Sequence, residues 1–417
     1  MYSYINNQLH CENVDISKLG NEIGLPFYCY SSEILESKYS EIERAFDGKN
    51  FLTCYSLKAN SNQSIIKTFA SMGSGADVVS MGELKRALKA GIPNNKIVFS
   101  GVGKSLEEIN FAITNNILMI NVESVSELMK ISEQACILNQ IAPISIRVNP
   151  DISAGDNEKI STGKKQDKFG ISYQDILEVY ELASSLDNIQ IKGIDIHIGS
   201  QINNLEPFQE AFNCIAEVIN KLKNKNIDID IIDIGGGIGV NYIDEESLEI
   251  NQYAKLIEKI LEPLDKKIII EPGRFLTAES GILVTSVIYI KETSDRNFLI
   301  VDAAMNDFIR PSLYGAKHKI LPIKNFEMSK PENTYDVVGP VCETGDYFVK
   351  DYKTSKIEEG DLLAITCTGA YGSVLSSNYN SRPSIPEVLV KDEKFSLIRK
   401  KENIEEIIDR DALAEWL

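Results

Sequence analysis

Residues 51–100 read FLTCYSLKANSNQSIIKTFASMGSGADVVSMGELKRALKAGIPNNKIVFS, and their rhythm decides the fold. The apolar run Phe51–Leu57 is followed by the helix-like SIIKTFASM, the short run Ala76–Val79, the helix-like GELKRALKAG and the run Lys96–Ser100. Strands alternating with amphipathic helices build right-handed βαβ units and a parallel sheet. The same alternation continues through Leu118–Val122, Ile144–Val148, Gly193–Ile198, Ile229–Ile234 and Lys267–Ile270, with SLEEINFAITNN and SVSELMKISEQACILN among the intervening segments. Several of these segments begin after Ser or Asn, as helix caps do. Eight repeats predict a closed (β/α)8 barrel, and an open doubly wound sheet is the alternative that alternation alone leaves standing.

Beyond residue 280 the rhythm changes. GILVTSVIYIKET, NFLIVDAA, TYDVVGPVCETGDYFV, DLLAITCTGAYG and PEVLVKDEKFSLI read as strands separated by Gly, Pro, Asp and Asn, which predicts an antiparallel β domain. The expected division is a barrel over 31–280 and a β domain over 281–417. Residues 1–30, with the strand-like YSYINN and PFYCYS, either join the β domain or lead into the barrel. The terminal NIEEIIDRDALAEWL is expected to be an amphipathic helix.

Composition narrows the partners. The 417 residues carry 43 Lys and Arg against 61 Asp and Glu, a formal net charge of −18. Such an excess of acid argues against nucleic acid or an anionic membrane as the main partner. Seven cysteines with no CxxC pair argue against a disulfide framework and suit a reducing cytoplasm. Three histidines make a polyhistidine metal site an unpromising reading, and no metal is expected. No signal peptide and no membrane span are expected, since the first residues lack a basic head with an apolar run and no stretch nears about 18 apolar residues.

In a barrel, chemistry gathers at the C-terminal ends of the strands. Lys58 follows the first strand, Asp77 ends the second, His197 ends the sixth, Gly235–Gly239 follow the seventh and Glu271 follows the eighth. A lysine partly desolvated at such a mouth is a nucleophile for aldehydes, although most single lysines are surface charges. GGGIG fails the dinucleotide spacing, but its backbone N–H groups suit a phosphate, and the loops after strands 7 and 8 are the usual phosphate site in barrels. His197 alone reads equally well as a satisfied structural histidine. Glu271 beside a heteroaromatic nitrogen would hold a proton there. An aldehyde-binding lysine, a phosphate loop and a pyridinium partner together describe a site for pyridoxal 5'-phosphate.

The stretches YSLKAN, GADVVSMGEL, RVNPDI, ISTGKKQDKFGI, HIGSQI, DIGGGIGV, EPGRFL, VDAAMNDFIRPSLYGAKH, GPVCETGD and GAYGSVLSSNYNSRP occur in order over roughly residues 25–395. On these the chain resembles the alanine-racemase-fold, pyridoxal phosphate-dependent decarboxylases, most closely those acting on diaminopimelate. The resemblance implies a β domain like the C-terminal domain of alanine racemase. It implies that Lys58 takes the cofactor aldehyde, that Gly235, Gly236 and Gly237, with Gly273 and Arg274 nearby, hold the phosphate with Ser200 close by, that Pro272 is among the cofactor-binding residues, and that Glu271 pairs with the pyridine nitrogen. His197 would pack over the cofactor ring, Asp77 would sit near Lys58, and Tyr371 would reach cofactor and substrate. Arg274, Arg310 and Tyr314 would recognise a distal carboxylate, which suits a guanidinium fork. Cys342 and Glu343 would come from the other subunit of a homodimer, Cys342 as proton donor after CO2 loss and Glu343 against the distal amine.

The implied reaction is decarboxylation of meso-2,6-diaminopimelate to L-lysine and CO2, the last step of lysine synthesis. Two alternatives are a decarboxylase for D-lysine, D-ornithine or L-ornithine and a non-catalytic relative. Glu271 favours decarboxylation over racemisation, because racemases of this fold place an arginine against the same nitrogen. One departure is Asn157, Glu158 and Lys159, where many members carry His-Pro-Tyr before ISTG. A second is GLPFYCY near the start, in place of a GTP-type opening.

Overall fold

The computed structural model describes every residue except 155–161, 165, 244–246, 326–332 and 356. Asn157, Glu158 and Lys159 therefore lie outside the described residues. The chain divides into two compact units: Glu36–Asn241 with Glu246–Leu276, and Met1–Leu35 with Tyr242–Glu245 and Thr277–Leu417.

The first unit is a closed barrel of eight parallel strands: β1 (Phe51–Ser56), β2 (Gly75–Val78), β3 (Ile97–Phe99), β4 (Met119–Val122), β5 (Ala142–Asn149), β6 (Ile189–Ile196), β7 (Ile231–Asp233) and β8 (Lys267–Ile270). Each pairs with its neighbour in sequence, and Ile268↔Phe51, Ile269↔Leu52 and Ile270↔Thr53 close the ring. The doubly wound alternative is thereby excluded. The helices start where the sequence caps them. Asn62 Oδ1 accepts from Ser64 N at the head of Gln63–Ser71, Ser80 caps Met81–Ala90, and Ser105 with Glu108 forms a capping box at Leu106–Thr114.

Leu52, Cys54, Val98, Met119, Ile231 and Ile269 pack as one apolar cluster. Toward the C-terminal ends of the same strands the buried residues turn polar: Ser56, Asp77, Ser100, Asn121, Ser145, Arg147, Asp195, Asp233 and Glu271. Burying so many polar groups costs stability unless they are paired, and such a cluster marks a functional layer.

The second unit is a predominantly antiparallel sheet built on the long strand Gly281–Glu292, which pairs with Phe27–Ser31, Asn297–Val301 and Leu362–Ile365. Two pairings are parallel: Asn297–Val301 with Asn333–Val338, and Phe27–Ser31 with Glu387–Lys391. Phe27–Ser31 is buried along its whole length, so the amino-terminal segment supplies a central strand. Leu9, Ile16, Leu19, Phe27, Cys29, Ile282, Val284 and Val388 share the core of this unit. The expected C-terminal helix is confined to Ile404–Ile408. Ile404, Ile408, Leu413, Trp416 and Leu417 are all exposed, so among the described residues this apolar face is not packed, and propensity alone sustains little more than one turn.

Candidate active site

Lys58 lies in a short 3-10 turn, Leu57–Ala59, directly after β1. Its Nζ donates to Asp77 Oδ2 at 2.8 Å, and the same oxygen accepts from Ser56 Oγ. Asp77 is fully buried at the end of β2, whereas about a third of the Lys58 side chain remains exposed (34%). The ion pair thus fixes the lysine at a point that is open to a small molecule.

The loop after β7 is shaped by its glycines. Gly235 N donates to Asp233 Oδ1 at 3.0 Å, and Gly236 N donates to His197 Nδ1 at 3.1 Å. Gly235 has φ +64°, and a Cβ there would stand 2.7 Å from His197 Nδ1. A Cβ on Gly236 would stand 2.3 Å from the carbonyl oxygen of Glu271. Only glycine permits this approach of three chain segments. Accepting at Nδ1 leaves His197 with its proton on Nε2 as a neutral imidazole. Burial, with cationic Arg147 and Lys58 nearby, holds its pKa well below the ordinary histidine value.

Glu271 follows β8, and its backbone N–H donates to Gly235 O at 2.7 Å. Burial, reinforced by the carboxylates of Asp233, Asp77 and Asp195, pushes its carboxyl well above the usual range, and Lys58 opposes that shift. Burial likewise pushes Asp233 up to about 7 against the Gly235 N–H, and it drives Asp195 well upward. A cationic ring nitrogen is the kind of partner this excess of buried acid lacks. A chain of donors points at Glu271: Ser145 Oγ to Asn121 Oδ1 at 2.6 Å, Asn121 Nδ2 to Ser100 Oγ at 3.1 Å, and Ser100 Oγ to Glu271 Oε1 at 3.5 Å.

After Pro272 and Gly273, the short helix Arg274–Thr277 begins. Pro272 O accepts from Ser56 N at 3.2 Å, and a Cβ on Gly273 would stand 2.9 Å from Ala59 Cβ. Arg274 is buried and donates to Ser200 Oγ from Nε at 3.3 Å and from Nη2 at 2.9 Å. The barrel unit therefore gathers Lys58, Asp77, His197, Ser200, Gly235–Gly237 and Glu271–Arg274 at the ends of β1, β2, β6, β7 and β8. A cofactor with an aldehyde, a phosphate and a basic ring nitrogen fits this donor set.

Arg147 is an unassigned member of the layer. Its Nη1 donates to Glu123 Oε1 at 2.9 Å, its Nη2 donates to His197 O at 3.2 Å, and its Nε lies 3.8 Å from Asp195 Oδ2. It fixes the backbone beneath His197. Arg147 opens the RVNPDI stretch, and an arginine inside an apolar strand was the available signal.

The other residues expected to serve the site belong to the β-rich unit. Arg310 and Tyr314 bound the short helix Arg310–Tyr314; Arg310 is buried, with its guanidinium carbon 4.9 Å from the Tyr242 ring centroid. Cys342 and Glu343 are exposed on the loop between Asn333–Val338 and Tyr347–Thr354. Buried Asp346 shapes that loop, accepting from Val341 N and Met305 N, each at 2.7 Å. A Cβ on Gly339 would collide with the Asp346 carboxylate. Cys342 N donates to Asn380 Oδ1 at 3.3 Å. Tyr371 is half-buried in left-handed backbone, φ 55°, an uncommon conformation for a non-glycine residue. Asp346 stands inside GPVCETGD, where no sequence signal marks its part in shaping the loop.

Residues 32–278 match the pyridoxal binding domain of the pyridoxal-dependent decarboxylases. The chain is 45% identical to a diaminopimelate decarboxylase of Haemophilus influenzae over 97% of this chain and 98% of that one. It is also similar to the solved diaminopimelate decarboxylase of Helicobacter pylori complexed with L-lysine, at 46% identity and a TM-score of 0.92, covering 95% of this chain and 99% of that one. A diaminopimelate decarboxylase from M. jannaschii in co-complex with L-lysine is 34% identical with a TM-score of 0.95, covering 100% of this chain and 99% of that one.

Proposed function

The chain belongs to the pyridoxal-dependent decarboxylases, and we propose that it removes one carboxylate of meso-2,6-diaminopimelate to give L-lysine and CO2. It is a carboxy-lyase of lysine biosynthesis that uses pyridoxal 5'-phosphate. The observation that carries this reading is the rim of the barrel, where Lys58, the Gly235–Gly237 loop and Glu271 stand at the ends of β1, β7 and β8.

When bound, the cofactor supplies an electron sink for the carbon that loses CO2. Lys58 Nζ is the amine that would hold its aldehyde carbon, with Asp77 keeping that amine in place. The N–H groups of the glycine loop, with Ser200 and Arg274, would hold the phosphate, as a backbone nest does. Glu271 would hold a proton on the ring nitrogen, and Ser100 keeps its carboxylate oriented. A neutral His197 would lie against the ring face and exclude water without adding charge. Arg274, Arg310 and Tyr314 are each groups that would suit the substrate's distal carboxylate. Tyr371 would reach cofactor and substrate.

The exposure of Cys342 and Glu343 supports their working in the site of a second copy, so that the active form is a homodimer. Cys342 Sγ would then supply the proton to the carbon left after CO2 loss, and Glu343 would meet the distal amine. Among the described residues no helix is long and apolar enough to cross a membrane. A cytoplasmic location is the reading that a biosynthetic role supports. Turnover of meso-diaminopimelate with and without added pyridoxal phosphate tests the function. Faster turnover of ornithine or lysine, or a protein that cannot be loaded with cofactor, would overturn it.

A further inference from the structure

His318 closes the RPSLYGAKH stretch and is almost completely buried, at 2% exposure. Its Nδ1 lies 2.9 Å from the carbonyl oxygen of Thr366, and its Nε2 lies 3.3 Å from Arg310 Nε. A carbonyl oxygen only accepts, so Nδ1 must carry the proton. A guanidinium nitrogen only donates, so Nε2 must offer its lone pair. The network therefore admits one form of the ring, the neutral Nδ1–H tautomer. Two aromatic rings hold the imidazole edge-on: Tyr242 at 5.0 Å and 73°, and Phe308 at 4.8 Å and 79°. Tyr242 also lies under the guanidinium of Arg310.

We propose that His318 is a positioning residue, whose neutral imidazole fixes the plane of the Arg310 guanidinium so that the arginine meets the substrate's distal carboxylate without its charge being cancelled. A carboxylate in the place of His318 would anchor the arginine as firmly but would compete with the substrate for its charge. An apolar residue would leave the Nε donor without this acceptor and remove one of the contacts that hold the fork's plane. Arginine differs from lysine as a carboxylate receptor in having a fixed planar fork, and that advantage depends on holding the plane. The tautomer is set by Thr366 and the ring angle by Tyr242 and Phe308, so the acceptor is built in before substrate arrives.

The inference rests on reading Arg310 as the carboxylate receptor, and its test separates the two. Inhibition of the holoenzyme by L-lysine, which keeps the distal carboxylate, is compared with inhibition by cadaverine, which lacks it. His318→Leu should weaken L-lysine about ten- to a hundredfold, the range for losing a hydrogen bond to a charged group, while cadaverine inhibition and cofactor absorbance stay unchanged. His318→Gln, which restores an acceptor, should recover most of the loss. Unchanged L-lysine inhibition in His318→Leu, or equal weakening of both inhibitors, would overturn the proposal. Arg310→Lys is measured alongside: if it leaves the ratio of the two inhibitors untouched, the reading of Arg310 fails. If it shifts the ratio while His318→Leu does not, only the role of His318 fails. Independently of any variant, 15N spectra of the three histidines in the wild-type holoenzyme should show a neutral Nδ1–H ring at His318. An imidazolium or an Nε2–H ring there would contradict the proposal.

Discussion

The rim of the barrel and the loops of the β-rich unit hold their candidate functional side chains in different ways. On the rim, Lys58, Asp77, His197 and Glu271 are placed by strands whose register is fixed by parallel pairing on both sides. In the β-rich unit, Arg310 starts a short helix and Cys342 lies on a loop, and buried polar side chains steady them: His318 accepts from the Arg310 guanidinium, and Asp346 accepts from backbone N–H groups at the Cys342 loop. A strand end is a rigid support that the backbone supplies. A loop becomes one only when side chains satisfy its free N–H groups. Damage to the rim should therefore strike the chemistry itself, and damage to the loop anchors should strike substrate handling while sparing the cofactor.

The sharpest contrast comes from Glu271→Gln. An amide cannot keep the ring nitrogen protonated, so kcat should fall by about a hundredfold or more with cofactor still bound, as read from steady-state rates and cofactor absorbance. A fall confined to KM would remove Glu271 from the chemistry. Asp346→Ala should lower kcat/KM by about tenfold to a hundredfold through the freed Val341 and Met305 N–H groups, with the cofactor spectrum unchanged. A changed spectrum would break the distinction between the two regions.

A smaller effect concerns stability. Burial lifts Asp233 to about 7 in the folded cofactor-free chain, above its unfolded value of about 4. Between those pH values the folded state binds more protons than the unfolded state, so stability from this group is present at low pH and is lost as pH rises through about 7. Urea unfolding of cofactor-free Asp233→Asn should show a shallower loss of stability across that window than the wild-type chain. Parallel pH profiles would show that Asp233 does not titrate there.

The barrel was legible because each strand is an apolar run ending at a polar residue, and the alternation needs no tertiary information. Lys58, Glu271 and the glycine loop could be read for the same reason. Ser100, Asn121 and Ser145 were not readable as one chain of donors, since they lie on three separate strands that only the closed sheet brings side by side. Arg147 and Asp346 sat within recognised stretches, but their roles depend on partners distant in sequence: His197 for Arg147, Met305 for Asp346. The short C-terminal helix shows the reverse case. Ile404, Ile408 and Trp416 gave a helical pattern, but no packing partner among the described residues makes use of it.

Under the proposed function, one chain's barrel supplies the cofactor-binding half of a site and a second chain supplies Cys342. Subunit exchange between inactive Lys58→Ala and Cys342→Ala chains tests it most directly. Random assortment makes half of the dimers mixed, each with one intact composite site, so the mixture should recover about a quarter of wild-type turnover. Complete absence of recovery, with exchange demonstrated by differently tagged chains, would contradict the claim.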